Sequence, residues 1–149
     1  MPIRHATVAS IDPVVLYKIL KLRTDVFIHE QKIVDEPEID GRDLEPTTTL
    51  FWIEEDDTVL ATLRFLDESP YPHIGRVATK ASARGRGLAG RLLTAVLDRY
   101  PGPIEISAQA YLEQWYGKFG FERTGPNYIE AGIDHLPMIR PGTPAAAQR

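Results

Sequence analysis

The sequence predicts an α+β fold of the mixed α/β kind: a mixed central sheet of about six to seven strands with helices on both faces. Three observations carry this. Residues 77–97 pass from strand-like alternation through the glycine-rich turn Arg84-Gly85-Arg86-Gly87 into a helical period. Two apolar, β-branched runs flank Asp56-Asp57. The periods along the chain read β-α-loop-β-β-β-α-β-α-β-β, which interleaves helices with strands.

Residues 3–9 alternate weakly and predict a first strand. Asp12 before Pro13 is an N-cap followed by proline at the first helical position. The helix that follows carries Val14, Leu16, Tyr17, Leu20, Val26 and Phe27 to about Ile28, with Arg23 and Asp25 interrupting its apolar pattern. Residues 30–44 are acidic and turn-rich and read as a solvated loop closed by Asp40-Gly41. Their spacing does not fit a calcium loop.

Residues 48–54 and 59–66 predict a hairpin turning at Asp56-Asp57. After the break at Ser69-Pro-Tyr-Pro72, residues 74–79 form the strand that feeds the glycine turn. Leu88, Leu92, Leu93, Val96, Leu97 and Tyr100 then recur with helical period until Pro101-Gly-Pro103 stops the helix. Residues 104–108 are a strand and 111–118 a short helix. Residues 121–124 and about 133–139 are strands joined through Gly125-Pro126 and Ala131-Gly132. The reading is one domain over residues 1–140 and a flexible tail over residues 141–149.

At 149 residues the chain can bury a sizeable core. A net charge of −4 with only a local arginine cluster gives no basic face for nucleic acid. With no cysteine, disulfides, thiolate metal sites and an acyl-cysteine intermediate are excluded. The N-terminus lacks the charged and apolar regions of a signal peptide, and no apolar run is long enough to span a membrane. These features fit a cytoplasmic protein.

The glycine turn carries the first chemical expectation. Gly85 and Gly87 allow unusual φ values and close approach of a ligand. The first turn of the helix offers unpaired N–H groups and dipolar positive charge, to which Arg84, Arg86 and Arg91 add full charges. That suits a phosphate or pyrophosphate. The plain alternative is a basic surface turn before an ordinary amphipathic helix. No Gly-Lys-Ser/Thr follows, so the turn is not a Walker loop, and it is a poor dinucleotide fingerprint.

Arg84-Gly-Arg-Gly87-Leu-Ala89 resembles the R/Q-x-x-G-x-G/A motif of the GNAT acetyltransferases. Downstream, Trp115-Tyr116-Gly-Lys-Phe119-Gly120-Phe121 resembles that family's F-Y-x-x-x-G-F. The resemblance implies a GNAT-like fold with acetyl-coenzyme A as cosubstrate and no metal. Val77, Ala78 and Thr79 would pair with the pantetheine arm through their backbone. Arg84, Gly85, Arg86, Gly87, Leu88 and Ala89 would hold the pyrophosphate. Tyr116 would lie near the sulfur and act as general acid. Gln109 stands where the family usually has an asparagine, and many members have a proline before the arginine that is missing here.

The same comparison implies direct attack of an amine, from a small molecule or a protein, on the thioester. Glu30, Glu38, Asp40 and His135 are the candidate bases, with an ordered water as the alternative. A homodimer fits the family, though no sequence feature demands one. Residues 14–140 further resemble the ElaA-like branch, in Leu22-Arg23-x-Asp25-Val26-Phe27-x-x-Glu30-Gln31, Glu38-Ile39-Asp40-Gly41-x-Asp43-Leu44, Gly75-Arg76-Val77 and Gly132-Ile133-x-His135-x-x-Met138.

Two alternatives stay open. Arg23-x-x-x-Phe27, Asp40-x-x-Asp43 and Arg64 resemble acyl-homoserine-lactone synthases, in which these positions orient the substrate. On that basis Arg23, Asp40, Asp43 and Arg64 would form a charged network lining the acceptor site, or an ion-pair network that pins the loop. The other alternative is a non-catalytic acyl-coenzyme A-binding module.

Overall fold

In the strand Thr48–Glu55 every residue from Leu50 to Ile53 is buried, and this one run explains how the molecule is layered. Side chains alternate across a strand, so a run buried throughout needs cover on both faces. Leu50 and Trp52 pack with Ile19, Leu22 and Val26. Phe51 and Ile53 pack with Leu92, Leu93 and Val96. The computed structural model, which describes residues 1–142, thus has helices on both faces of a mixed sheet.

Among the described residues the strands are β1 (Ile3–Ala6), β2 (Thr48–Glu55), β3 (Thr58–Leu66), β4 (His73–Thr79), β5 (Ile104–Gln109), β6 (Glu122–Arg123), β7 (Tyr128–Glu130) and β8 (Ile133–Arg140). The helices are α1 (Pro13–Thr24), α2 (Leu88–Arg99) and α3 (Glu113–Gly117). The sheet runs β1-β2-β3-β4-β5-β8-β6, with β7 also paired to β8. Every neighbouring pair is antiparallel except β4 and β5.

The eight strands exceed the six to seven expected because β7, read from sequence as connection, makes a tight hairpin with β8. Ala131 and Gly132 turn it at φ 53° and 75°. Asp56 and Asp57 turn the β2–β3 hairpin with φ 51° and 63°, the paired positive values that match strand twist. The first strand stops at Ala6, three residues early, because Ser10 and Ile11 both donate their N–H to the Thr7 carbonyl and close a turn. The expected tail begins inside the description, but residues 143–149 lie outside the described residues.

Asp12 caps α1 by accepting from Val14 N at 2.7 Å and Val15 N at 3.4 Å. Arg23 does not break the apolar face as its chemistry suggests; it is 1% exposed and held by carboxylates. The α-helix ends at Thr24, short of the expected Ile28, and Asp25–Glu30 continues as a π-helical turn with Gln31 N bonded to Val26 O at 2.9 Å. Such a turn inserts one residue and re-aims those after it. Glu30 and Gln31 consequently face the cleft described below. In α2, Leu88, Leu92, Leu93 and Val96 are buried as the period predicts, at about 2 kcal/mol each of gross hydrophobic gain.

The parallel pair β4–β5 is in register at one position only, His73 opposite Glu105. Beyond it the strands splay. β4 also leaves its other neighbour: Arg64 pairs with Gly75 but Thr62 with Ala78, so Arg76 and Val77 form a bulge. Arg76 takes φ 51° there. Val77 therefore belongs to neither ladder's register, and a V-shaped gap opens beside it.

Candidate active site

The splay opens a cleft of about 640 Å³, with Val77, Ala78 and Thr79 along one wall and Gly85, Gly87, Leu88 and Ala89 at one end. Gly87 is the N-cap of α2 at φ 72°, without a side-chain cap. Arg91 N makes the first helical bond, to Gly87 O at 3.1 Å, so the N–H groups of Leu88, Ala89 and Gly90 have no intrahelical partner. Gly85 has φ 80°, and a Cβ at either glycine would meet nothing within 4 Å. Both positions need glycine for backbone angle, with space to spare.

Arg84 lines this cleft and forms a two-pronged ion pair with Glu30, at 2.6 Å on each prong. Arg86 does not line it. The left-handed glycines on either side turn its side chain outward, to Glu55 Oε2 at 3.3 Å.

A second, polar cavity of about 450 Å³ adjoins the first and shares Gln31, Val77, Tyr111, Leu112 and Tyr116 with it. Its floor is the sheet face bearing Gly75, Val77, Ser107 and Gln109. Its roof is the segment from Gln31 to Glu38, and the β7–β8 hairpin closes one side with Glu130 and His135. Gln109, expected at the coenzyme, lines this cavity instead and donates to Gln31 Oε1 at 3.0 Å.

Tyr116 stands where the two cavities meet. Trp115 and Phe121 pack edge-on to its ring, at 4.9 and 5.9 Å between centroids. Its hydroxyl makes no hydrogen bond to a described residue. Burial, helped by Tyr111, pushes its pKa up to about 12, so the group stays protonated and able to donate.

The four candidate bases differ sharply in their surroundings. The Arg84 hydrogen bond holds Glu30 below the usual carboxylate range. Glu38 is buried, with Oε2 shared between Arg23 Nε at 2.7 Å and Arg76 Nε at 2.9 Å. Asp40 accepts from Arg64 at 2.9 and 3.0 Å. Burial opposes its ionisation, but the Arg64 hydrogen bonds, the Arg42 backbone N–H and the charges of Arg64 and Arg76 outweigh it and lower its pKa to about 2. Glu30 and Asp40 are therefore weak bases, and both Glu38 contacts are taken by arginines. His135 is 6% exposed, and Nδ1 lies 2.7 Å from Ile133 O. A carbonyl only accepts, so Nδ1 carries the proton and Nε2 keeps its lone pair in the neutral ring.

Arg23, Asp40, Asp43 and Arg64 do come together. Arg23 reaches Asp43 Oδ1 at 2.6 Å, and Arg64 lies 3.5 Å from Asp43 Oδ2. Glu38 and Arg76 complete a set of three arginines and three carboxylates joining α1, β3 and β4 to the loop. None of the original four lines the polar cavity; only Glu38 and Arg76 do. The four stand behind its wall, where burial and mutual pairing leave them engaged with each other. Sequence reasoning missed Arg76 as a member, and also Gln31, Ser107 and Glu130 at the cavity. The Gly75-Arg76-Val77 match was the available signal for the first.

Among the described residues no three His, Asp or Glu side chains are grouped to hold a metal, and no helix is long and apolar enough to cross a membrane.

Residues 24–140 match the model of the acetyltransferase (GNAT) domain. The UPF0039 protein Rv2851c of Mycobacterium tuberculosis is 43% identical over 147 residues, covering 95% of this chain and 94% of that protein. Protein ElaA of Escherichia coli is 33% identical over 133 residues, covering 84% and 86%. Its crystal structure superposes with a TM-score of 0.85 at 29% identity over 93% of this chain and 98% of that one. A crystal structure described as an acyl-CoA N-acyltransferase from Pseudomonas aeruginosa gives a TM-score of 0.88 at 34% identity, over 94% and 99%. The chain belongs to the GNAT acetyltransferase family, among the UPF0039 and ElaA proteins.

Proposed function

We propose that this protein transfers an acetyl group from acetyl-coenzyme A to a primary amine. The observation that carries the reading is the meeting of the two cavities at Val77 and Tyr116. One cavity has the glycine turn and helix N-terminus suited to a pyrophosphate. The other is polar and holds an unpaired histidine nitrogen. Acetyl-coenzyme A supplies the activated acyl carbon.

The chain's own residues divide the remaining work. Leu88, Ala89 and Gly90 present N–H groups to the pyrophosphate, with Arg84 beside them. The released backbone at Val77 pairs with an extended ligand in the slot between β4 and β5 and polarises the carbonyl. His135 Nε2 takes the proton from the amine as the C–N bond forms. Tyr116 gives its proton to the sulfur as the C–S bond breaks.

Calorimetry with acetyl-coenzyme A and a longer acyl-coenzyme A, in wild type and Gly87→Glu, tests this. The reading requires micromolar binding that the substitution abolishes, because a carboxylate then fills the pyrophosphate position. Absence of binding to either coenzyme refutes it. Binding without thiol release for any amine indicates a non-catalytic binding module.

A further inference from the structure

The charges around the polar cavity are unequally spent. Among the described residues two arginines line it, and both are engaged. Arg42 is held by Glu45 at 3.2 Å and by Glu68, and Arg76 by Glu38 at 2.9 Å and Asp40 at 3.3 Å. No lysine lines it. Glu130, on β7, is different: it accepts from Ser107 Oγ at 3.1 Å, and no arginine or lysine among the described residues pairs with it. His135 Nε2 lies 3.6 Å away, too far for a hydrogen bond, on a side chain 8% exposed. The Tyr116 hydroxyl, on a residue 7% exposed, also has no hydrogen-bond partner among the described residues. The Tyr116 hydroxyl and His135 Nε2, on residues more than nine-tenths buried, thus face the cavity without a hydrogen bond to a described residue, next to a carboxylate that no arginine or lysine among the described residues pairs.

We infer that the acceptor is a small aliphatic amine with no carboxylate near it, its ammonium held by Glu130 beside His135. The word acceptor rests on the acyltransferase reading; the amine site does not. A carboxylate on the ligand would meet Glu130 and find no free cation among the described residues, a charge left unpaired in a partly desolvated site. The cavity's volume of about 450 Å³ suits a small molecule, and sheet, roof and hairpin bound it on three sides. The held ammonium would give one proton to solvent to become the attacking amine, and the second to His135 Nε2 as the C–N bond forms, without moving to another site.

Cadaverine and free lysine differ only by the α-carboxylate, so they form a matched pair of probes. Titrated by calorimetry into the ligand-free protein, cadaverine should bind about tenfold or more tighter than lysine, and lysine methyl ester should follow cadaverine. Glu130→Gln should weaken cadaverine about tenfold with an unchanged melting temperature. Equal or tighter binding of lysine, no binding of cadaverine, or indifference to Glu130→Gln overturns the inference. Acetyl-coenzyme A titrated in parallel separates the two readings. Cadaverine binding without coenzyme binding keeps the amine site and removes the transferase. Coenzyme binding without cadaverine binding does the reverse.

Discussion

Arg84 and Glu30 grip each other through two 2.6 Å contacts at the edge of the larger cleft, although 54 residues separate them in sequence. Both side chains are more than 40% exposed, so the pair is a surface ion pair worth at most about 1 kcal/mol. A phosphate can therefore recruit Arg84 at small cost. Glu30→Gln should leave the melting temperature nearly unchanged and tighten acetyl-coenzyme A binding about two- to fivefold. Arg84→Ala should weaken it about tenfold, as expected for loss of a charge-assisted contact. Calorimetry on both variants checks the pair of signs.

Tyr116→Phe keeps the ring between Trp115 and Phe121 and removes only the hydroxyl. Coenzyme affinity should change less than twofold, while thiol release should fall about 10²- to 10⁴-fold, the range for a general acid. With its pKa at about 12, Tyr116 stays protonated below pH 11. Any alkaline decline of the wild-type rate below that pH must arise elsewhere, and Tyr116→Phe should retain it. A steady-state pH profile of both proteins measures this.

Asp40 should make the fold sensitive to acid. Its pKa is lowered from 3.8 to about 2, so its stabilisation is fully present above the unfolded value and is lost as pH falls through about 2. The shift corresponds to about 2 kcal/mol. Asp40→Asn should lower the melting temperature by about 5 °C at pH 7, and the difference from wild type should close as pH approaches 2. Thermal melts across that range decide it; a gap that stays constant with pH would assign the loss to shape instead of charge.

How much was legible in the sequence depended on whether a residue's conformation is set by its neighbours in the chain. The cap at Asp12, the positive-φ turn at Asp56-Asp57 and the buried face of α2 are local, and residue type and period announce them. Arg76 is the opposite case. Its φ of 51° follows from β3 and β4 falling out of register, and nothing about an arginine in a strand advertises that. The acids of residues 30–44 were visible as candidates, but only the fold shows that Arg23, Arg64 and Arg84 occupy them. The π-helical turn, which swings Gln31 toward Gln109, similarly depends on packing around Val26 and Phe27.

The single registered pair between β4 and β5 has a mechanical meaning. On the α2 side one apolar layer runs unbroken from Phe51 through Ile74 and Ile104 to Leu136. In the plane of the sheet the β4–β5 ladder opens after His73 and Glu105. The sheet is therefore a book with its spine at that pair and a glued back cover. A strand edge normally invites pairing with other chains; here two such edges face each other across a slot under the roof segment. A ligand lying in the slot would complete the ladder and brace the two leaves against each other.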